Sequence, residues 1–559
     1  MQTVSWQKLL ARAPHLFFYV MAAILLFKYI VYLIAVVPFP YDWEPTDGDH
    51  LNFAHRLAQG LPIYLPLREG QVLSIYNPLY HGLIAILGGG HVSLNFARFV
   101  AFVFWLMIPF SVFCFFWKRW GWYTIAAALF IWLPTQPYML IDIVQVSPNS
   151  TVAFLFLVTL LFAISCVEMQ DAAWWRWLML GAIAACCYLA KQQGLIALVI
   201  VLSFQVLQCK TWRVIALTVL GFFVVFSICS AYLEYLNSGE YLRVTLLDLR
   251  KIITSDPHLA VLRLKEFLFD ENLYFFACSI YSLYKSLADF KRLTIWQVSF
   301  LLHIPFLLAI LGNGGGGPNY FLSMWISMVL LSIETVFKAN VAKVSALGFF
   351  LAFLMITLWG KTSYIEFTDI LILVVFIAFL VAYVDSKKAE KFAAIWSGLT
   401  WVAKYNWNLA EFFFITLIIN FSLGVKPVLL EFEAISLPTP AMEVKMKDYY
   451  QSVKKLVADR REASILTNRN IGAFVFSNLR IANEGCTMFT YAWHSPSVFN
   501  KDKIINAIRE KRFDFISTGI QDYPEDVRAE IEKYYRPALS KETNIYLGKM
   551  GVVNVFSPL

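Results

Sequence analysis

Apolar segments of membrane-spanning length recur along most of this chain, and a chain so patterned can satisfy its backbone polar groups in lipid only as helices. A hydrocarbon core of roughly 30 Å needs about 20 apolar residues per helix. By that rule about thirteen segments qualify: 15–37, 97–117, 122–140, 150–167, 175–190, 193–208, 213–233, 271–288, 294–311, 318–337, 342–359, 366–384 and 406–424. Charged residues make up 15% against 59% hydrophobic, which excludes an ordinary soluble globular protein. The first segment is long and no small-residue cleavage site follows it, so it reads as a span and not as a cleaved signal peptide. The predicted fold class is therefore an α-helical polytopic membrane protein.

The net charge of +8 would suit nucleic acid, but its distribution does not. Lysines and arginines fall in alternate short loops: Lys8 and Arg12, Lys118 and Arg119, Arg176, Lys210 and Arg213, Lys285 with Lys291 and Arg292, Lys338 and Lys343, and Lys387, Lys388 and Lys391. That alternation predicts a cytoplasmic N-terminus. The loops 38–96, 141–149, 234–270 and 312–317 then face the opposite side, as does everything after the last span. The eight cysteines lie mostly inside apolar segments, and no CxxC or Cys/His spacing points to zinc or a disulfide framework.

One long polar stretch, residues 41–80, interrupts this pattern: YDWEPTDGDHLNFAHRLAQGLPIYLPLREGQVLSIYNPLY. Asp42, Glu44, Asp47 and Asp49 are crowded at its start. Leu51, Ala54, Leu57 and Ala58 keep helical spacing, and Gly60 and Pro62 end that helix. Thr46 with Asp49 has the spacing of a capping box. Asp47 and Asp49 thus have two readings, helix caps or working carboxylates, and a helix N-terminus favours a carboxylate either way.

Residues 75–88 are apolar but short and contain Pro78, so they read as an interfacial helix. Arg98 opens the next span, and Asp142 is the only acid of the outer connection 134–149. Lys191, in LAKQQGLIAL, lies between two apolar runs. A charge at that depth is costly and is a functional candidate by default, unless it snorkels to the interface. His50, His55 and His81 make no metal spacing and read as surface or packing residues. Arg243, Arg250 and Lys251, in the loop 234–270, read as contacts to lipid headgroups. The run GNGGGGPNYF at 312–321 lacks the GK[ST] ending of a nucleotide loop and reads as a flexible turn that lets backbone approach a ligand.

From about residue 425 the composition becomes that of a soluble unit. Strand-like runs at 464–466, 473–476, 513–517, 545–547 and 552–556 alternate with helical patterns at 449–460, 501–511 and 524–535. The predicted organisation is a transmembrane catalytic domain, 1–425, with first outer loop 38–96, and a small α/β extracytoplasmic domain, 426–559, able to fold alone.

The stretch DGDHLNFAHRLAQGLPIY at 47–64, with YNPLY at 76–80 and Arg98, resembles the first extracytoplasmic loop of the GT-C glycosyltransferase superfamily. It is most similar to the branch with protein O-mannosyltransferases and lipid A aminoarabinose transferases. Those proteins tend to show an acidic pair, an Ala, a Leu-x-x-Gly, a Tyr, and a Pro-Leu before a helix. Here Asp47 takes the first acidic place, Gly48 replaces the second acid, and Asp49 follows one position late. AKQQG at 190–194 and GGGPNYF at 315–321 resemble later motifs of such enzymes.

The resemblance implies transfer of a monosaccharide, with inversion, from a polyprenyl-phosphate donor to a hydroxyl on a glycan, lipid or protein acceptor. It places the base at Asp47, with Asp49 beside it. A fixed carboxylate taking the proton of a poor hydroxyl nucleophile, and cations at a lipid phosphate leaving group, suit that chemistry. Lys191 and Arg98 are the predicted phosphate cations; Asp142, Tyr80, Asn319 and Tyr320 are predicted on the acceptor side. The predicted location is a bacterial inner membrane, with membrane lipids as neighbours and no nucleic acid partner. No cofactor is expected, and no spacing indicates a metal, although the chemistry admits a divalent ion. The rival readings are a transporter or flippase of a lipid-linked or small polar solute, and a glycan polymerase or ligase. Few charges inside the spans and no visible inverted repeat argue against transport.

Overall fold

The computed structural model describes residues 30–338 and 437–559, apart from short stretches of which the longest are 133–144 and 485–492. Predicted segments 342–359, 366–384 and 406–424, most of 15–37, and Asp142, Arg250 and Lys251 lie outside the described residues.

After a helical stretch at 30–36, the outer loop folds as α1 (Asp47–Ala58) and α2 (Leu79–Leu87). Helices α3 (Leu94–Trp120), α4 (Trp122–Trp132), α5 (Asn149–Glu168), α6 (Trp174–Ala190), α7 (Leu195–Gln208) and α8 (Trp212–Leu236) follow. Then come α9 (Pro257–Lys265), α10 (Leu273–Ser286), α11 (Ile295–Ile310) and α12 (Leu322–Lys338). Every apolar segment predicted between residues 97 and 337 carries a helix. Among the described residues, however, only three helices, α3, α5 and α8, are long and apolar enough to cross a membrane. The Lys191 turn, for one, divides α6 from α7. The predicted count of thirteen spans is thus not reproduced among these residues.

The surface of α8 exposes Leu220, Phe223, Val224 and Ile228, a face suited to hydrocarbon. Its other side packs on α6 through two glycines. A Cβ at Gly181 would lie 1.9 Å from the Thr218 carbonyl oxygen, and one at Gly221 would lie 2.1 Å from that of Leu178. Small residues let helix backbones touch where no hydrophobic drive pulls them together. Arg243, predicted at lipid headgroups, is partly exposed and lies 3.3 Å from the carboxylate of Asp248.

The C-terminal residues form α13 (Pro440–Leu456), β1 (Ser464–Thr467), α14 (Gly472–Val475), β2 (Arg480–Glu484), α15 (Lys501–Arg509), β3 (Phe515–Thr518), α16 (Glu525–Tyr534), β4 (Tyr535–Tyr546) and β5 (Lys549–Pro558). The sheet order is β2-β1-β3-β5-β4, parallel on either side of β1 and antiparallel from β3 onward. The predicted strand at 473–476 is instead the single turn α14. All four of its residues are buried, a short apolar run whose period cannot tell strand from helix.

This unit packs into two apolar clusters, one shared with the outer loop and α3 and one made of its own residues apart from a single leucine. Tyr449, Val453, Phe474 and Val555 belong to one apolar cluster with Leu51, Ala54, Tyr80 and Leu94 of the outer loop and α3. Leu67, from that loop, is buried in a second cluster with Trp493, Phe499 and Ile516.

Candidate functional site

Helix α1 begins where the Thr46–Asp49 spacing puts its start and ends as predicted. Gly60 adopts φ +68°, and the Leu61 N–H donates to the Arg56 carbonyl at 2.8 Å. At its start the predicted capping box is absent: the Thr46 side chain makes no capping hydrogen bond. Asp47 is the first helical residue and is fully buried. Its Oδ2 accepts from the Trp43 N–H at 3.0 Å and its Oδ1 from the Val146 N–H at 2.7 Å. Neither donor belongs to α1, so capping does not account for Asp47. Asp49, two residues on, is half-buried.

Arg98, fully buried in the first turns of α3, donates to Asp47 Oδ2 and to the carbonyls of Phe39 and Tyr41, the latter at 2.8 Å. The sequence reading made it a phosphate cation. The structure commits its guanidinium to Asp47 and to the backbone leading into α1.

Lys191 stands at the break between α6 and α7, in extended backbone (φ −159°, ψ 144°). The motif's glycine has a geometric reason, because a Cβ at Gly194 would come within 2.1 Å of the Cys187 carbonyl oxygen. Lys191 does not snorkel. It is 6% exposed, and its ammonium donates to Asn149 Oδ1 at 2.8 Å beneath the Tyr320 ring, 4.8 Å from the centroid. Tyr76 offers a second ring at 5.9 Å, and the Gln192 side chain donates to the Ile75 carbonyl at 2.6 Å. Three separate sequence motifs therefore meet at this lysine: YNPLY, AKQQG and PNYF.

Residues 146–149 join the two charged centres. The first of them gives its N–H to Asp47, and the last gives its side-chain oxygen to Lys191. Between the centres, on α1, lies His50, whose Nδ1 is 2.8 Å from His81 Nε2, the rings stacked at 5.0 Å. Both are buried. Burial, then the Lys191 charge, pushes His50 down to about 3, and burial and His50 hold His81 well below the usual imidazole range. Two neutral imidazoles are thus sharing one hydrogen bond. His55 lies apart, bonded to Gln59 at 2.8 Å.

The other predicted residues divide. Tyr80 is fully buried and its hydroxyl donates to the Ala97 carbonyl at 3.1 Å, a tie between α2 and α3. Tyr320 stands on Lys191, with Asn319 half-buried beside it on the short turn Pro318–Phe321. Among the described residues, no group of three or more His, Cys, Asp or Glu side chains is arranged to hold a metal ion.

Sequence reasoning missed Asn149, which looks like the polar start of an apolar helix, and it passed over Asp42, one acid among four. Asp42 is buried, and burial, then the nearby Asp47 charge, raise its carboxyl to about 7.

No known sequence family matches the chain, and no curated protein matches it either. Solved structures do. ArnT from Cupriavidus metallidurans bound to undecaprenyl phosphate aligns at TM-score 0.55 with 13% identity, covering 96% of this chain and 97% of that one. The apo form of the same protein aligns at 0.53 with 11% identity, covering 94% and 97%. The oligosaccharyltransferase AglB from Archaeoglobus fulgidus aligns at 0.49 with 10% identity, covering 98% of this chain and 74% of that one. At these identities the likeness is one of fold, and the fold is that of the GT-C glycosyltransferases.

Proposed function

We propose that this protein is a membrane glycosyltransferase that moves a monosaccharide from a polyprenyl-phosphate donor to an acceptor hydroxyl on the outer face, with inversion. The observation that carries this reading is the four-residue stretch 146–149, which holds a buried carboxylate, Asp47, and a buried ammonium, Lys191, in one site. The acceptor oxygen attacks the anomeric carbon as its proton passes to Asp47. The bond from that carbon to the phosphate oxygen breaks, and the lipid phosphate leaves with its charge against Lys191. Tyr320 and Asn149 set the ammonium; Arg98 sets the carboxylate and is removed from the list of phosphate ligands.

Asp47 is enclosed, so the acceptor reaches it by displacing a donor. The two backbone N–H groups, of Trp43 and Val146, are neutral and weaker donors than the Arg98 guanidinium. Asp49 is the second candidate base, on the opposite side of α1, since two residues turn a helix by about 200°. The alternation of loop charge supports an outer-face position for this site and the C-terminal unit, in what we take to be a bacterial inner membrane. The ArnT structure with undecaprenyl phosphate supports a lipid phosphate as the leaving group.

The test is transfer by the purified protein in liposomes from a radiolabelled polyprenyl-phosphate sugar, with the anomeric configuration of the product determined. A transporter or flippase would move label across the vesicle without forming a new glycoside, and that result would replace this reading.

A further inference from the structure

We infer that the C-terminal unit positions the catalytic carboxylate, with Tyr450 and Gly472 acting as positioning residues for Asp47. This rests on the proposed role of Asp47. The Tyr450 hydroxyl donates to Asp42 Oδ2 at 2.9 Å and accepts the Asp42 N–H at 3.2 Å, so one side chain of α13 grips both ends of Asp42. The Gly472 N–H, on α14, donates to the same Oδ2 at 3.2 Å. No side chain fits there: a Cβ at Gly472 would lie 2.6 Å and 2.8 Å from the two Asp42 oxygens and 2.8 Å from the Tyr450 hydroxyl. The Tyr450 ring meets that of Tyr41 edge-on at 4.8 Å.

The residue after Asp42 is Trp43, whose N–H bonds to the Asp47 carboxylate. The residue before it is Tyr41, whose carbonyl is held by the same Arg98 that holds Asp47. Residues 41–43 are therefore clamped between the C-terminal unit on one side and the Asp47–Arg98 pair on the other. Sub-ångström freedom at that clamp becomes freedom of the carboxylate, and misplacing a catalytic group by about 1 Å can cost 10²-fold in rate. The raised carboxyl of Asp42 fits this account, since burial and Asp47 both disfavour a second anion there, while Tyr450 and Arg98 oppose them.

The experiment compares wild type, Tyr450→Phe and, as a control on the same helix, Lys445→Ala, whose exposed partner is Glu542. Three quantities are read: kcat per folded molecule, KM for the lipid donor, and hydrogen exchange of the backbone amides at 41–47. Tyr450→Phe is expected to lower kcat roughly ten- to hundredfold, to leave the donor KM near normal because Lys191 is untouched, and to speed exchange at Trp43. Lys445→Ala should change none of these. Gly472→Ala, which pushes on the same carboxylate, should reproduce the kcat loss. Unchanged exchange at 41–47 in Tyr450→Phe overturns the inference. So does faster exchange with unchanged kcat, which would make the contact structural only. If wild type transfers no sugar at all, the proposed function fails, and the exchange measurement alone decides whether Tyr450 holds the segment that holds Asp47.

Discussion

Asp47 and Arg98, from the outer loop and the helix after it, form an ion pair in which neither side chain is exposed to solvent. A buried pair of this kind is weak evidence for stability, because removing two charges from water offsets most of their attraction. Its use here is geometric. The same guanidinium holds the carbonyls of Phe39 and Tyr41, so the charge that pairs with Asp47 also shapes the chain that approaches it.

This relationship makes a single Asp47→Asn variant ambiguous, since it removes the proposed base and also leaves Arg98 buried and unpaired. Breaking a buried pair costs about 3–5 kcal/mol. The double variant Asp47→Asn/Arg98→Met should recover much of the lost thermal stability in detergent while transfer stays absent. Activity in the double variant would remove Asp47 as the base and move attention to Asp49, whose own Asp49→Asn variant is otherwise expected to stay active.

Lys191→Ala should weaken use of the donor. Loss of one charge-assisted hydrogen bond costs about 1.5–3 kcal/mol, or roughly ten- to a hundredfold in apparent donor affinity. Transfer rates against donor concentration measure this. An unchanged dependence on donor would leave Lys191 as a packing residue tied to Asn149 and Tyr320.

Two buried groups give opposite pH dependences. His50 sits at about 3 when folded, against 6.5 in an ordinary imidazole. The unfolded chain therefore binds the extra proton between those values, and stability falls as pH drops through that window. Asp42 sits at about 7 when folded, against 3.8. There the folded state binds the extra proton, and its contribution is lost as pH rises from about 4 to 7. Relative to wild type, His50→Gln should melt more favourably at pH 5 than at pH 7, and Asp42→Asn the reverse. Melting curves at the two pH values check both signs, and slopes of the same sign would refute the assignment.

What could be read from the sequence followed local rules. The helices between 97 and 337 announce themselves by composition, α1 by spacing and its Gly60 stop, and Lys191 by being a charge between apolar runs. The site itself could not be read, because its bonds are long-range: Val146 to Asp47 spans 99 positions and Lys191 to Asn149 spans 42. The bonds of Arg98 are long-range too, Asp47 lying 51 positions away. A cation at a span's outer end suits a phosphate as well as it suits a carboxylate, and only the fold shows which one it meets. The His50–His81 pair carries no sequence signal, since two histidines 31 residues apart become neighbours only when α1 and α2 pack.

The expectation that the C-terminal residues fold alone also rested on local rules, and one of the unit's two apolar clusters is shared with the membrane part. Leu67 of the outer loop is buried with Trp493 and Phe499, and Tyr449, Val453 and Phe474 complete a cluster with Leu51 and Ala54 of α1. Cut away from the membrane part, a fragment of residues 437–559 exposes these apolar faces to water. It is expected to bind hydrophobic dyes, to associate, and to lack a sharp unfolding transition. Within the intact protein, Leu67→Ala should cost about 2–5 kcal/mol, as a large-to-small change in a packed core does, although Leu67 lies far in sequence from its partners. A monomeric fragment that unfolds cooperatively, together with a Leu67→Ala protein as stable as wild type, would show that the shared core contributes little, and the unit would then be an independent domain after all.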